Sequence, residues 1–170
     1  AFLLYAEVLG NFSSGDAGAV QSILAVANTS SQEASVTIEL NGLDGTRVDL
    51  TGTLSVPANG ETVVFLNQLS GLESLPTPFR GMVRLSSTVP ISLVGIRAQW
   101  NGRADLLLTS TVPANQEKPA TTAELLIPFI IDGGGWSTQF VIFSSMASTS
   151  SSGALSFFDN LGAPLALKFR

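Results

Sequence analysis

At 170 residues the chain is long enough for one or two domains, and 45% apolar against 12% charged residues argues against disorder. A net charge of −5, with few lysines, disfavours nucleic acid and anionic membrane as partners, because phosphate binding needs a basic footprint. The lack of Cys and His removes thiolate and imidazole metal ligands, a nucleophilic Cys and any His-based triad, and no run of 18 apolar residues is present to span a membrane.

The first residues, Ala1-Phe-Leu-Leu-Tyr-Ala6, lack a basic n-region and an initiating Met, and are expected to be a mature or excised end. Abundant Ser and Thr beside scarce Lys and Glu suit an exported surface, so an extracellular or cell-surface location is expected.

Beyond these residues, short apolar runs punctuated by Gly, Pro, Asn and Asp predict an all-β sandwich. Strands are predicted over 20–27 and 34–40; in the second, Val36, Ile38 and Leu40 alternate with Ser35, Thr37 and Glu39, so one face is dry and one wet. Asn41-Gly42-Leu43-Asp44-Gly45 predicts a turn. Further strands are predicted near 47–55, 61–66, 79–86, 91–100 and 105–111. Leucines at 66, 69, 72 and 75 repeat every third residue, which predicts a short helical turn near 67–75, stopped by Pro76 and Pro78. Residues 113–122 are polar and Pro-bounded, and are expected to be a linker.

The chain then begins to repeat. Shifted by 117 positions, Ala6-Glu7-Val8-Leu9 falls on Ala123-Glu124-Leu125-Leu126, Gly18 on Gly135, Gly45 on Gly162 and Leu50 on Leu167. Apolar positions keep the register: Ile23 with Phe140, Leu24 with Val141, Ile38 with Leu155, Leu40 with Phe157. Tandem copies of one module look like this. The expected organisation is a complete sandwich over 1–112, the linker, and a truncated second copy over 123–170, with a strand over Gln139–Phe143.

Few residues invite a chemical reading. Trp100 and Trp136 are candidate sugar-stacking platforms with Arg103 or Asp105 as polar partners, or else core caps. Asp132-Gly133-Gly134-Gly135 resembles a phosphate loop only superficially, because no helix or Lys-Ser/Thr follows; a turn is expected. Asp16, Asp44, Asp132 and Asp159 come singly, which fits Asx turns rather than a Ca²⁺ cage, so no metal is expected. Arg80 with Arg84, and Arg97 with Gln99, share strand faces and are expected to find acidic neighbours across strands. No carboxylate pair stands at a catalytic spacing, so no enzyme activity and no cofactor are expected.

Ile127-Pro-Phe-Ile-Ile-Asp-Gly-Gly-Gly-Trp-Ser-Thr138, Gly153-Ala-Leu-Ser-Phe-Phe-Asp-Asn-Leu-Gly162 and, in the first copy, Ser22–Asn28, Leu43-Asp-Gly45, Pro57-Ala-Asn-Gly60, Phe79-Arg-Gly81 and Val94-Gly-Ile-Arg97 carry a family resemblance. The chain resembles the β-sandwich repeats of large secreted or surface proteins of acidobacteria-like bacteria. The resemblance implies an immunoglobulin-like sandwich used as a building or adhesive module, with no catalytic residues to carry over. One departure is that Ser144-Ser145 stands where the first copy has Asn28.

The expected function is therefore a non-catalytic, extracellular structural or adhesive module whose partners are other protein domains or subunits, through a β-edge of residues 123–170. Two alternatives stand beside it. One is a carbohydrate-binding module of a larger secreted enzyme, using Trp100, Arg103 and Trp136. The other is a strand-exchanging filament subunit with residues 1–9 as donor strand.

Overall fold

The computed structural model describes residues 1–117, 126–131, 133–134, 138–142 and 153–166. Phe2–Leu9 forms strand β1, with Leu4, Ala6 and Val8 buried on one face. Strands β2 (Val20–Ala27), β3 (Ala34–Gly42), β4 (Arg47–Val56) and β5 (Glu61–Phe65) follow. After these come β6 (Phe79–Ser87), β7 (Ser92–Trp100), β8 (Leu106–Thr111) and the two-residue β9 (Ala114–Asn115). The strands predicted over 20–111 all form, with ends within two residues of expectation, and every pairing is antiparallel. The chain is all-β.

The nine strands form one continuous antiparallel sheet, with β9 on β1, and it divides at β1 into two layers. In the first, β4, β3, β6 and β1 lie side by side; in the second, β5, β2, β7 and β8 do. β1 joins them, because its end pairs with β2 through Val8↔Gln21 and Leu9↔Val20 while its length runs beside β6 from Phe2↔Leu85 to Val8↔Phe79. The core lies between the layers: Leu4 and Val8 of β1, Leu24 and Val26 of β2, Val36, Ile38 and Leu40 of β3, and Val83 and Leu85 of β6. At Gly95 of β7 the layers come so close that a Cβ would stand 2.7 Å from the Leu4 methyls, so this position takes only glycine without displacing Leu4.

Four findings depart from expectation. The N-terminal run is a full central strand, committed to β6 within its own chain, which removes residues 1–9 as a free donor strand. The expected linker starts as structure: β9 pairs with β1 through Phe2↔Asn115 and Leu3↔Ala114, and the Gln116 amide donates to the Ala1 carbonyl. The leucine repeat forms a 3-10 helix over Leu66–Gln68 only. Beyond it the three-residue spacing persists as separate turns, in which the Leu72 amide donates to the Leu69 carbonyl and the Leu75 amide to the Leu72 carbonyl. All four leucines are buried, and Gly71, at φ +90° against the Thr51 carbonyl, breaks helical continuity. Lastly, Gln139–Ile142 forms no strand; Phe143 lies outside the described residues.

The last described segment holds a small hairpin, β10 (Phe157–Phe158) with β11 (Pro164–Leu165). Its pairs are Phe157↔Leu165 and Phe158↔Pro164, which are Leu40↔Val48 and Asn41↔Arg47 displaced by 117 residues. The turns match bond for bond. Gly42 N–H donates to Thr46 and Gly45 N–H to Gly42; Asp159 N–H donates to Ala163 and Gly162 N–H to Asp159. Gly45 and Gly162 have φ of +82° and +84°.

Candidate functional site

Glu7 is the most enclosed charged side chain of the main unit. It projects from the face of β1 opposite Leu4 and Ala6, and its residue is only 5% exposed. Arg80, its partner across β6, approaches Glu7 Oε1 at 3.1 Å, and Arg97 of β7 donates through Nε to Oε2 at 2.6 Å. The Tyr5 hydroxyl adds a bond to Oε1 at 2.9 Å, and Arg97 also reaches Gln99 at 2.7 Å. The Glu7 amide donates to the buried Ser22 hydroxyl. A carboxylate bracketed by two guanidiniums ties the first layer to the second at the end where β1 crosses over. Burial, then the bond to Glu7 and that carboxylate's charge, push the Tyr5 phenol up to about 12.

A second cluster lies on the same outer face of the first layer. Glu39 of β3 accepts from Arg84 at 2.8 Å and Arg47 at 3.3 Å, and Arg84 Nε donates to Gln116 at 3.1 Å. Thus Arg80 and Arg84 have acidic neighbours on the adjoining strands, as their spacing predicts, while Arg97 of β7 reaches past β2 to Glu7 of β1. They form scaffold bonds rather than an open anion receptor.

Trp100 and Arg103 are close in sequence but are not brought into one site. Trp100 is half-buried at the end of β7, where its indole N–H donates to the Phe12 carbonyl at 2.9 Å. Its ring packs 6.0 Å from Phe12, which stacks in turn 5.7 Å from Phe65. The 3-10 helix Phe12–Ser14 is thereby folded onto the second layer, and Trp100 is its clasp. Arg103 is exposed in the β7–β8 turn, whose shape is set by Asn101: its Oδ1 accepts the amides of Arg103 and Asp105, and its Nδ2 donates to the Asp105 carboxylate. Asp105 is therefore engaged in the turn. Trp136 lies outside the described residues.

Asp44 and Asp159 also serve turns. Asp44 accepts the Thr46 amide and hydroxyl, each at 2.9 Å, and the amide bond foremost holds its carboxyl below the usual range. Asp159 accepts the amides of Leu161 and Ala163. Asp132 lies outside the described residues, but the adjoining Gly133 and Gly134 both have positive φ, and Thr138 Oγ1 bonds both the amide and the carbonyl of Ile131 across the loop. Among the described residues no three acidic side chains converge to hold a metal ion.

Asn28 carries no marker in the sequence, yet it is 2% exposed and makes four side-chain bonds. Its amide donates to the carbonyls of Gln32, Val56 and Pro57, and its Oδ1 accepts the Ser30 amide. One side chain therefore pins the β2–β3 connection to the end of β4.

The fold has a solved counterpart. The crystal structure of Thermotoga maritima 1070 superposes with a TM-score of 0.51 at 15% identity, covering 67% of this chain and 93% of that one. That likeness is one of fold alone. No protein-family model and no curated protein matches the chain.

The outer faces of the two layers differ sharply. On the first, Glu7, Glu39, Arg47, Arg80 and Arg84 interlock. On the second, register aligns Val63, Ala25 and Val94 in one row, Phe65, Ile23, Ile96 and Ser110 in the next, and Gln21, Ala98 and Leu108 in a third. None of these is charged. Sequence reading missed this face, although part of the signal was present: the run 20–27 lacks the polar alternation that 34–40 displays.

Proposed function

We propose that the chain is a non-catalytic structural or adhesive module of an exported bacterial protein, made of tandem immunoglobulin-like sandwich copies. The observation that carries this reading is the use made of the reactive-looking side chains. Glu7, Arg80, Arg84, Arg97, Trp100, Asn28 and Asp44 are spent on holding strands and turns. The repeated hairpin supports the tandem arrangement, because its pairs and turn bonds recur at 117 residues although Leu40 and Asn41 are replaced by Phe157 and Phe158. On this reading the module acts by presenting surfaces to other protein domains.

The carbohydrate alternative gains nothing from Trp100, whose N–H and ring are engaged by Phe12. Tryptophan fluorescence during titration of the 170-residue chain with a panel of oligosaccharides tests the choice. The module reading expects no saturable change; a saturable shift abolished by Trp136→Ala would replace it with the carbohydrate reading. Protease shaving of intact cells tests the location, and a protein protected until lysis would overturn export.

A further inference from the structure

We propose that the outer face of β5, β2, β7 and β8 is a self-association surface, and that its occupant is the same face of a second copy of this chain. Val63 is 61% exposed, Val94 46% and Leu108 62%, although all three lie on regular strands and point away from the core. Single exposed leucines and valines need no explanation. Here Val63 and Val94 stand in register with the half-buried Ala25, and Ile23 and Ile96 in the next row are half-buried too. Ala98 beside Leu108 and Gln21 beyond it are buried, so the open apolar part of the face is its Glu61 half.

Three observations favour a second copy as the occupant. The first is charge. Each chain carries −5, and the first layer's face is set with ionised side chains, so two copies meet with least like-charge repulsion where charge is lacking. This face carries one acidic side chain, Glu61, at the rim beside Ala27 and Ser92. The second is shape. An apolar face without directional groups leaves no donor or acceptor to be matched when it meets its own copy about a two-fold axis, the arrangement of an isologous contact. The folded-over Phe12–Phe65–Trp100 cluster bounds it at one end, and Glu61 at the other.

The third is size. Strands about 4.8 Å apart and residues about 3.4 Å apart give the open part of the four strands a footprint of roughly 20 Å by 15 Å. Two such faces bury on the order of 700 Å² once side-chain relief is counted, the size of a weak, transient contact. The dimer is thus expected to form only toward about 100 µM. The inference rests on the module reading for its purpose but not for its geometry.

Sedimentation equilibrium of the 170-residue chain from about 1 to 200 µM tests it. The expected result is a concentration-dependent rise from the 17.7 kDa chain mass toward twice that value. The double variant Val94→Lys/Leu108→Lys should remain monomeric with an unchanged far-UV circular dichroism spectrum. Val63→Thr/Val94→Thr, which keeps the β-branched shape, should weaken association about tenfold and serves if the lysine variant does not fold. Thr37→Lys on the opposite face should leave association unchanged. A monomer at every concentration would overturn the proposal, and protection of Val63 and Val94 from radical footprinting in that monomer would assign the face to the chain's own apolar residues 126–131 instead. A dimer insensitive to both double variants would overturn it too. None of these results bears on glycan binding or export, so the two readings fail separately.

Discussion

Glu7 shows how a single residue decides the relation between two layers. Its carboxylate is almost fully enclosed while Arg97 and Arg80 keep part of their surface in water, so the negative charge bears most of the desolvation. Glu7→Gln keeps the shape but leaves two guanidiniums facing a neutral amide; it should lower unfolding stability by about 2–3 kcal/mol in urea titrations. Tyr5 follows the same logic in its proton equilibrium. Its folded pKa lies above the ordinary value, so the stability it contributes is complete below about pH 10 and is lost as pH rises toward about 12. It is the only tyrosine, so tyrosinate absorbance reads this group alone. The expected result is a midpoint near 12 in the folded protein, a return to about 10 in denaturant, and no alkaline loss from this source in Tyr5→Phe. Asn28→Ala removes the side-chain partner of the buried Val56 contact and of the part-buried Gln32 and Pro57 carbonyls and Ser30 amide, and should cost about 2 kcal/mol by the same unfolding measurement.

Single elements were legible in the sequence to different degrees. β3 announces itself through strict alternation, and its observed faces are those the pattern requires. β1 did not, because Phe-Leu-Leu-Tyr-Ala-Glu-Val-Leu has apolar residues on both faces: Leu3 is buried on the side it shares with Tyr5 and Glu7. A central strand flanked by β6, β9 and β2 reads as an apolar lead-in until its partners are known. Trp100 was ambiguous for a related reason, since an aromatic at a strand end serves equally as platform or clasp, and only the distant Phe12 decides. Trp100→Phe removes the indole donor while keeping most of the ring. Hydrogen exchange across residues 10–19 should quicken several-fold in that variant, with the β3 and β6 amides unchanged.

Across the whole molecule, the repeat was visible as a register but its physical basis was not. Asp44 shapes the first turn from its third position and Asp159 the second from its first, yet both turns close with the same backbone bonds. The conformation is thus held by the glycine at φ near +83° and the strand register, and the aspartate is free to move. The uncharged face needed pairing registers to assemble it, since its rows draw on four strands spread from residue 21 to 110. Association through that face has a salt response opposite to that of ion-pair docking. Screening relieves repulsion between two chains of −5, so raising NaCl from about 20 to 500 mM should strengthen the dimer a few-fold in sedimentation.

The ends of the main unit also adjoin. The Ala1 amino group meets Glu117 at 2.8 Å, and β9 lies antiparallel to the start of β1. A tensile load applied through Ala1 and Glu117 therefore pulls at right angles to the two strands, along the β1–β9 bonds, and opens them one after another, like a zip. Only two residue pairs yield before the force reaches the seven-pair seam of β1 with β6. Under tension the module has a soft first extension and a stiff second one, both set by which strand lies on which edge.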